Sequence, residues 1–167
     1  MAKKTSAGIL LYCIRSGELQ VFIVHPGGPL WAGKDARAWS IPKGEIDRGS
    51  DPLETAKREF HEETGKHVSG EFLPLTPLRQ PGGKVVHAWA VNGDIDPSTI
   101  KSNTFTMEWP PRSGRQQEFP EVDRGGWFTI AEATERLVLG QLGFLAELQE
   151  KLALAPLPSG VRRHQET

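Results

Sequence analysis

The segment from Asp51 to Gly65, Asp-Pro-Leu-Glu-Thr-Ala-Lys-Arg-Glu-Phe-His-Glu-Glu-Thr-Gly, constrains the fold of this chain more than any other. Asp51 can cap a helix, Pro52 suits the first helical position, and Glu54 stands where a capping box needs its glutamate. Gly65 accepts the left-handed conformation that ends many helices, which predicts a helix running to about Thr64. At about 100° per residue, Leu53, Ala56, Phe60 and Thr64 share one face, and Glu59, Glu62 and Glu63 occupy a separate arc of about 100° beside it. Glu59 and Glu63, four residues apart, cost a bare helix a few tenths of a kcal/mol by repulsion, so their crowding asks for a compensating cation. Carboxylate-dense, oxygen-rich sites suit Mg²⁺ or Mn²⁺ rather than zinc. His61 lies about 150° from the middle of this arc and is set apart from it.

The rest of the chain reads as strands and turns around that helix. Thr5 to Ile14 and Leu19 to His25 are rich in aliphatic residues and flank Arg15-Ser16-Gly17-Glu18, which predicts a hairpin. A Gly- and Pro-rich loop from His25 to Arg37 follows, with Trp31 half exposed in it, and then a short strand from Trp39 to Ile41. Glu71 to Arg79 and Lys84 to Asn92 form a second expected hairpin around Pro81-Gly82-Gly83. Between Asp94 and Asp123 one strand is expected, Thr104 to Trp109, followed by a basic loop. Gly126 to Ile130 is expected as the last strand. Thr129 and Glu132 make a capping box for a helix that Gly140 breaks. A closing helix to about Leu154 follows, its Leu142, Leu145, Leu148 and Leu152 spaced for core packing.

The chain has 167 residues, room for one domain with a sizeable core, expected over residues 1–155 with a flexible tail over 156–167. With 20 basic and 21 acidic side chains there is no strong global field toward nucleic acid or membrane. A single cysteine, Cys13, excludes an intramolecular disulfide framework and a Cys-rich zinc site. The longest nearly unbroken apolar stretch, Ala7 to Ile14, is far short of the roughly 20 residues that span a bilayer. These features lead to the expectation of a cytoplasmic protein without a membrane or stable nucleic-acid partner; an oligomer is compatible with them.

The stretch Gly44 to Lys66 resembles the Nudix box, in which Gly, five residues, Glu and seven residues precede Arg-Glu-apolar-x-Glu-Glu-x-Gly-apolar. Gly44, Arg58, Glu59, Phe60, Glu62, Glu63 and Gly65 match it, whereas Ser50 replaces the first Glu and Lys66 an apolar residue. Glu54 or Asp47 can substitute as a partner for Arg58. The resemblance implies an α/β (α+β) fold, an α/β/α sandwich with a mixed central sheet. It also implies Mg²⁺-dependent hydrolysis of a nucleoside diphosphate linked to another group. By position it makes Glu59 and Glu63 direct metal ligands, Glu62 a direct or water-mediated one, the Lys43 carbonyl a further one, and Arg58 an orienting residue for Glu59. The box does not settle the general base: the resemblance allows a box glutamate, with Glu62 and Glu63 as the catalytic candidates, or a carboxylate on the loop before the last strand. Glu118, Glu121 and Asp123 precede the last expected strand; Glu121 is favoured, then Glu118.

Ser40-Ile41-Pro42-Lys43-Gly44 is similar to the lead-in of diadenosine polyphosphate hydrolases and related nucleoside triphosphatases. The Lys43 side chain suits a phosphate as a point charge. Arg112 and Arg115 suit a polyphosphate clamp. Among the aromatic platforms for a base, Tyr12, Trp31, Trp89, Phe105 and Trp109, the first candidate is Trp31. Dinucleoside polyphosphates or nucleoside triphosphates are therefore the expected substrates. A weakened nucleotide-sensing module and an RNA 5′-end pyrophosphohydrolase are the alternatives, the latter disfavoured by a net charge of −1.

Overall fold

The computed structural model describes residues 4–154. The expected tail from Pro156 onward lies outside them. In chain order the elements are β1 (Thr5–Arg15), β2 (Glu18–Pro26), β3 (Lys43–Glu45), α1 (Pro52–Thr64), β4 (Leu73–Pro74), β5 (Leu78–Arg79), β6 (Val85–Asn92), β7 (Thr104–Glu108), β8 (Gln116–Pro120), β9 (Val122–Thr129), α2 (Ile130–Arg136) and α3 (Leu142–Leu154).

The main sheet runs β4-β6-β1-β2-β9, with β3 on β1 and β5 on β6. β1 pairs antiparallel with β2 and parallel with β6, so the sheet is mixed. Because side chains alternate along a strand, β1 sends Ala7, Ile9 and Leu11 to one face and Leu10 and Tyr12 to the other, and all five are buried. The first face packs on Ala56 and Phe60 of α1 with Phe22, Val24 and Val91. The second packs on Ala133 of α2 and on Phe144, Leu145 and Leu148 of α3. Helices thus cover both faces, as expected, and Leu142 and Leu152 pack against the second cluster. None of the helices among the described residues is long and apolar enough to cross a membrane.

The helix α1 begins and ends where its caps place it. The Asp51 side chain accepts the Glu54 N–H at 3.0 Å, and Gly65 is left-handed at φ 75°. The capping box is not closed, since the Glu54 carboxylate turns to Lys57 at 3.2 Å. Four further expectations are corrected. Trp39 to Ile41 forms isolated bridges to Leu137 and Val24 instead of a strand, because the Ile41 N–H is taken by the Gln141 side chain at 2.9 Å. The segment from Glu71 to Arg79 is two short strands, both on β6. α2 stops at Arg136 because Leu137 leaves the helix to pair with Trp39, and Gly140 lies in the turn that leads into α3, where a Cβ would fall 2.4 Å from Gln80 Oε1.

The fourth correction bears on function. β9 begins at Val122 rather than Gly126, and Gln116–Pro120 is a strand rather than a loop. β7 and β8 form a separate two-stranded ribbon, with Thr104 opposite Pro120 at one end and Glu108 opposite Gln116 at the other.

Candidate active site

α1 packs across β1 and β3, which brings the glutamate arc against the backbone at Gly44. The approach is close: a Cβ on Gly44 would fall 2.0 Å from the Glu59 carboxyl carbon, so only glycine fits while Glu59 keeps its place. Lys43, Gly44, Glu45, Asp47, Arg58, Glu59, Glu62, Glu63 and Glu121 line one open polar cavity of about 480 Å³. Of the three acids that the sequence offered before the last strand, Glu121 is the one in this cavity. Glu118 lies on the exposed ribbon opposite Thr106, and Asp123 is engaged by His25.

Glu121 is brought here by backbone bonds that sequence reading did not anticipate. The Asn103 N–H donates to the Glu62 carbonyl at 2.7 Å, and the Glu121 N–H donates to the Asn103 carbonyl at 2.8 Å. The Lys101 N–H donates to the Thr64 carbonyl at 2.8 Å, and a Cβ on Gly65 would crowd the Lys101 carbonyl at 2.9 Å. Segment 101–103 therefore uses the free carbonyls at the end of α1 as its anchor and passes the register on to Glu121. The signal in the sequence is faint, since backbone groups supply all of these bonds.

The cavity is electrostatically strained. Burial, then Glu62, pushes Glu59 up to about 7, helped by a shared hydrogen bond with Glu62 and opposed by Arg58. Burial, then Glu59, pushes Glu63 up to about 8, although the charge and the backbone N–H of Lys43 favour its ionised form. Burial and Glu62 also push Glu121 up. Arg58 is the nearest cation to the arc, at 3.6 Å from Glu59 and 3.9 Å from Glu62. Asp47 holds it from the other side at 3.7 Å, so Asp47 rather than Glu54 is the substitute partner. No three of these acids are drawn in to metal-ligand spacing among the described residues. The donor set is nevertheless all oxygen and starved of positive charge, which fits a hard divalent cation.

A second cleft of about 310 Å³ meets the first at Glu121. Pro26, Pro29, Leu30, Trp31, Phe105 and Met107 make it largely apolar. Trp31, 38% exposed, stands in its wall, and Phe105 reaches in from the ribbon. Tyr12 is core and Trp89 packs against the core. Arg112 and Arg115 lie at the turn of the ribbon, at the end away from Glu121, and line neither cleft. His61 stacks on His67 at 4.0 Å, outside both.

The chain is similar to known proteins in both sequence and fold. RNA pyrophosphohydrolase of Brucella anthropi is 36% identical over 71% of this chain and 78% of its own length. Octanoyltransferase of Myxococcus xanthus is 30% identical over 59% of this chain, which spans only a quarter (25%) of that protein. Among solved structures, the Ap4A hydrolase of C. elegans in a binary complex superposes with a TM-score of 0.63 over 89% of this chain and 98% of its own, at 19% identity. The NUDIX domain model matches residues 4–148, a span that holds the glutamate arc, Gly44 and Glu121 within one sheet. Because that match spans nearly the whole described chain, the chain belongs to the NUDIX family.

Proposed function

We propose that this protein hydrolyses the phosphoanhydride chain of a nucleotide, with dinucleoside polyphosphates or nucleoside triphosphates as substrates. The observation that carries this reading is the junction of the two clefts at Glu121: an acidic, cation-seeking cavity on one side and an apolar slot with Trp31 and Phe105 on the other. A phosphate chain ending in a flat base has the same two-part character.

Glu59, Glu62 and Glu63, with the Lys43 carbonyl, would hold Mg²⁺ or Mn²⁺. When bound, such a cation would supply countercharge to phosphate oxygens and lower the pKa of a water. Arg58, braced by Asp47, keeps Glu59 turned into the cavity. Glu121 takes the proton of the water as its oxygen attacks phosphorus and the bridging P–O bond breaks toward the departing phosphate. The upward push on Glu121 makes it a better base than an exposed carboxylate. The Lys43 ammonium meets a phosphate oxygen, and Trp31 stacks on the base.

The Brucella relative favours a second reading, an RNA 5′ end as substrate. A panel of Ap4A, nucleoside triphosphates and 5′-triphosphorylated RNA, with and without Mg²⁺, separates the two by product mass. Glu63→Gln and Glu121→Gln run beside the wild type. Cleavage of the nucleotides that both variants lose supports the first reading, and cleavage confined to RNA supports the second. An absence of Mg²⁺-dependent cleavage across the panel refutes both.

A further inference from the structure

His25 is the last fully buried residue of β2, and it carries chemistry that the site does not use. Its Nδ1 lies 2.9 Å from Asp123 Oδ1 and its Nε2 lies 2.5 Å from the Lys34 carbonyl. The imidazole thus spans a carboxylate on one side and a backbone carbonyl on the other. Trp39 packs against it at 5.3 Å in an edge-on arrangement, which leaves the ring little freedom to turn.

Neither partner lines the apolar cleft, but each is close in the chain to a residue that does, Lys34 to Trp31 and Asp123 to Glu121. Lys34 follows the turn that carries Pro29, Leu30 and Trp31, and its N–H donates to the Trp31 carbonyl at 3.0 Å. Asp123 follows Glu121 by two residues, at the start of β9. Pairing between β2 and β9 passes from His25 opposite Arg124 to Pro26 opposite Val122, so Asp123 is the extra residue of a β-bulge. A bulge re-aims a side chain, and here it turns the carboxylate back onto His25. The entry of the loop is tied to the same strand start: the Gly27 N–H donates to the Glu121 carbonyl at 2.9 Å, and a Cβ on Gly27 would lie 2.1 Å from the Pro120 carbonyl oxygen. Gly27 therefore pins the beginning of the loop to residue 121, and His25 pins its end to residue 123.

We propose that His25 is a positioning residue for substrate selection: bridging Asp123 and the Lys34 carbonyl, it sets the Trp31 wall of the apolar cleft at a fixed place relative to Glu121. It touches neither the substrate nor the acidic cavity. Its loss frees the Lys34 end of the eight-residue segment from Gly27 while leaving the anchored entry and the glutamate arc in place.

The kinetic arm of the test rests on the nucleotide reading above; the exchange arm does not. His25→Asn keeps a buried polar group but cannot reach both partners. For a nucleotide that the wild type cleaves, KM is expected to rise about tenfold, the worth of one buried hydrogen bond, with kcat changed less than about threefold. Amide hydrogen exchange over residues 28–34 is expected to speed up by at least about tenfold, with α1 and β1 unchanged. Should His25→Asn not fold, Asp123→Ala, at a side chain that is partly exposed, carries the same two readouts. Unchanged exchange over 28–34 in a folded variant overturns the proposal, whatever the substrate. So does a fall in kcat with KM unchanged. Wild-type protein that cleaves no nucleotide, but whose variant shows the faster exchange, refutes the nucleotide reading and leaves the clamp standing.

Discussion

Gly44 and Glu59 are in steric register: the glycine leaves the space that the carboxylate fills, and a methyl group there would lie 2.0 Å from the Glu59 carboxyl carbon. The consequence is that the position of the first glutamate is set by a residue with no side chain. Gly44→Ala is expected to turn Glu59 out of the cavity and to reduce turnover at least about a hundredfold, a loss typical of misplaced catalytic groups. The global fold should persist, since the clash falls on a side chain. Circular dichroism and kinetics check this together, and an alanine variant with wild-type kcat would remove the constraint.

The raised acids make stability depend on pH in an unusual direction. Glu59 titrates at about 7 and Glu63 at about 8 in the folded chain, above the ordinary 4.5 of both in an unfolded one. The folded state thus binds more protons between those limits, so stability falls as pH rises from about 4.5 to about 8. A divalent cation displaces these protons and should stabilise more at high pH than at low. Melting curves at about pH 5.5 and pH 8.5, with EDTA or Mg²⁺, measure both effects. A melting temperature that climbs with pH in EDTA contradicts the assignment.

Replacing Glu63 by Gln removes the acid that burial and Glu59 penalise most. In EDTA at about pH 8.5 the variant should melt a few degrees above the wild type, while its response to Mg²⁺ and its turnover collapse. A variant that melts lower in EDTA would mean that Glu63 makes stabilising contacts outweighing its charge.

Arg58 is held by Asp47 where the Nudix box usually supplies a glutamate at position 50. Asp47→Asn is expected to cut kcat by about tenfold, because Arg58 then competes less well to hold Glu59 in the cavity. Ser50→Glu in that background should restore part of the loss. Equal kcat in wild type and Asp47→Asn would show that Glu59 and Glu62 suffice to hold the guanidinium.

Trp31 stands in the apolar slot, outside the acidic cavity. Trp31→Ala should raise KM for a purine nucleotide by about tenfold, the worth of one stacked ring, with a smaller effect on kcat. Quenching of tryptophan fluorescence by a bound nucleotide offers an independent check. Quenching that survives in the variant would place the base elsewhere.

The glutamate helix was legible because its information is local. Asp51, Pro52 and Gly65 bound it, and 3.6-residue periodicity alone separates Phe60 from the Glu59, Glu62 and Glu63 arc. The β1-β2 hairpin and the second capping box at Thr129 and Glu132 were legible for the same reason. The start of β9 was not, because Asp123, Arg124 and Gly125 carry no strand signal; a Cβ on Gly125 would fall 2.5 Å from the Phe22 ring, a neighbour on a distant strand. β8 was not, because its Gln116-Gln117-Glu118 run is exposed and carries no apolar alternation. By itself the sequence determined which acids could meet and on which element they ride, since helix geometry follows from nearest neighbours. Only the tertiary structure decided that Glu121 and not Glu118 joins them, that Asp47 holds Arg58, and that His25 ties the Trp31 loop to Asp123. Those outcomes rest on how loops are folded back by backbone bonds and by contacts with other segments, which helix and strand periodicity does not encode.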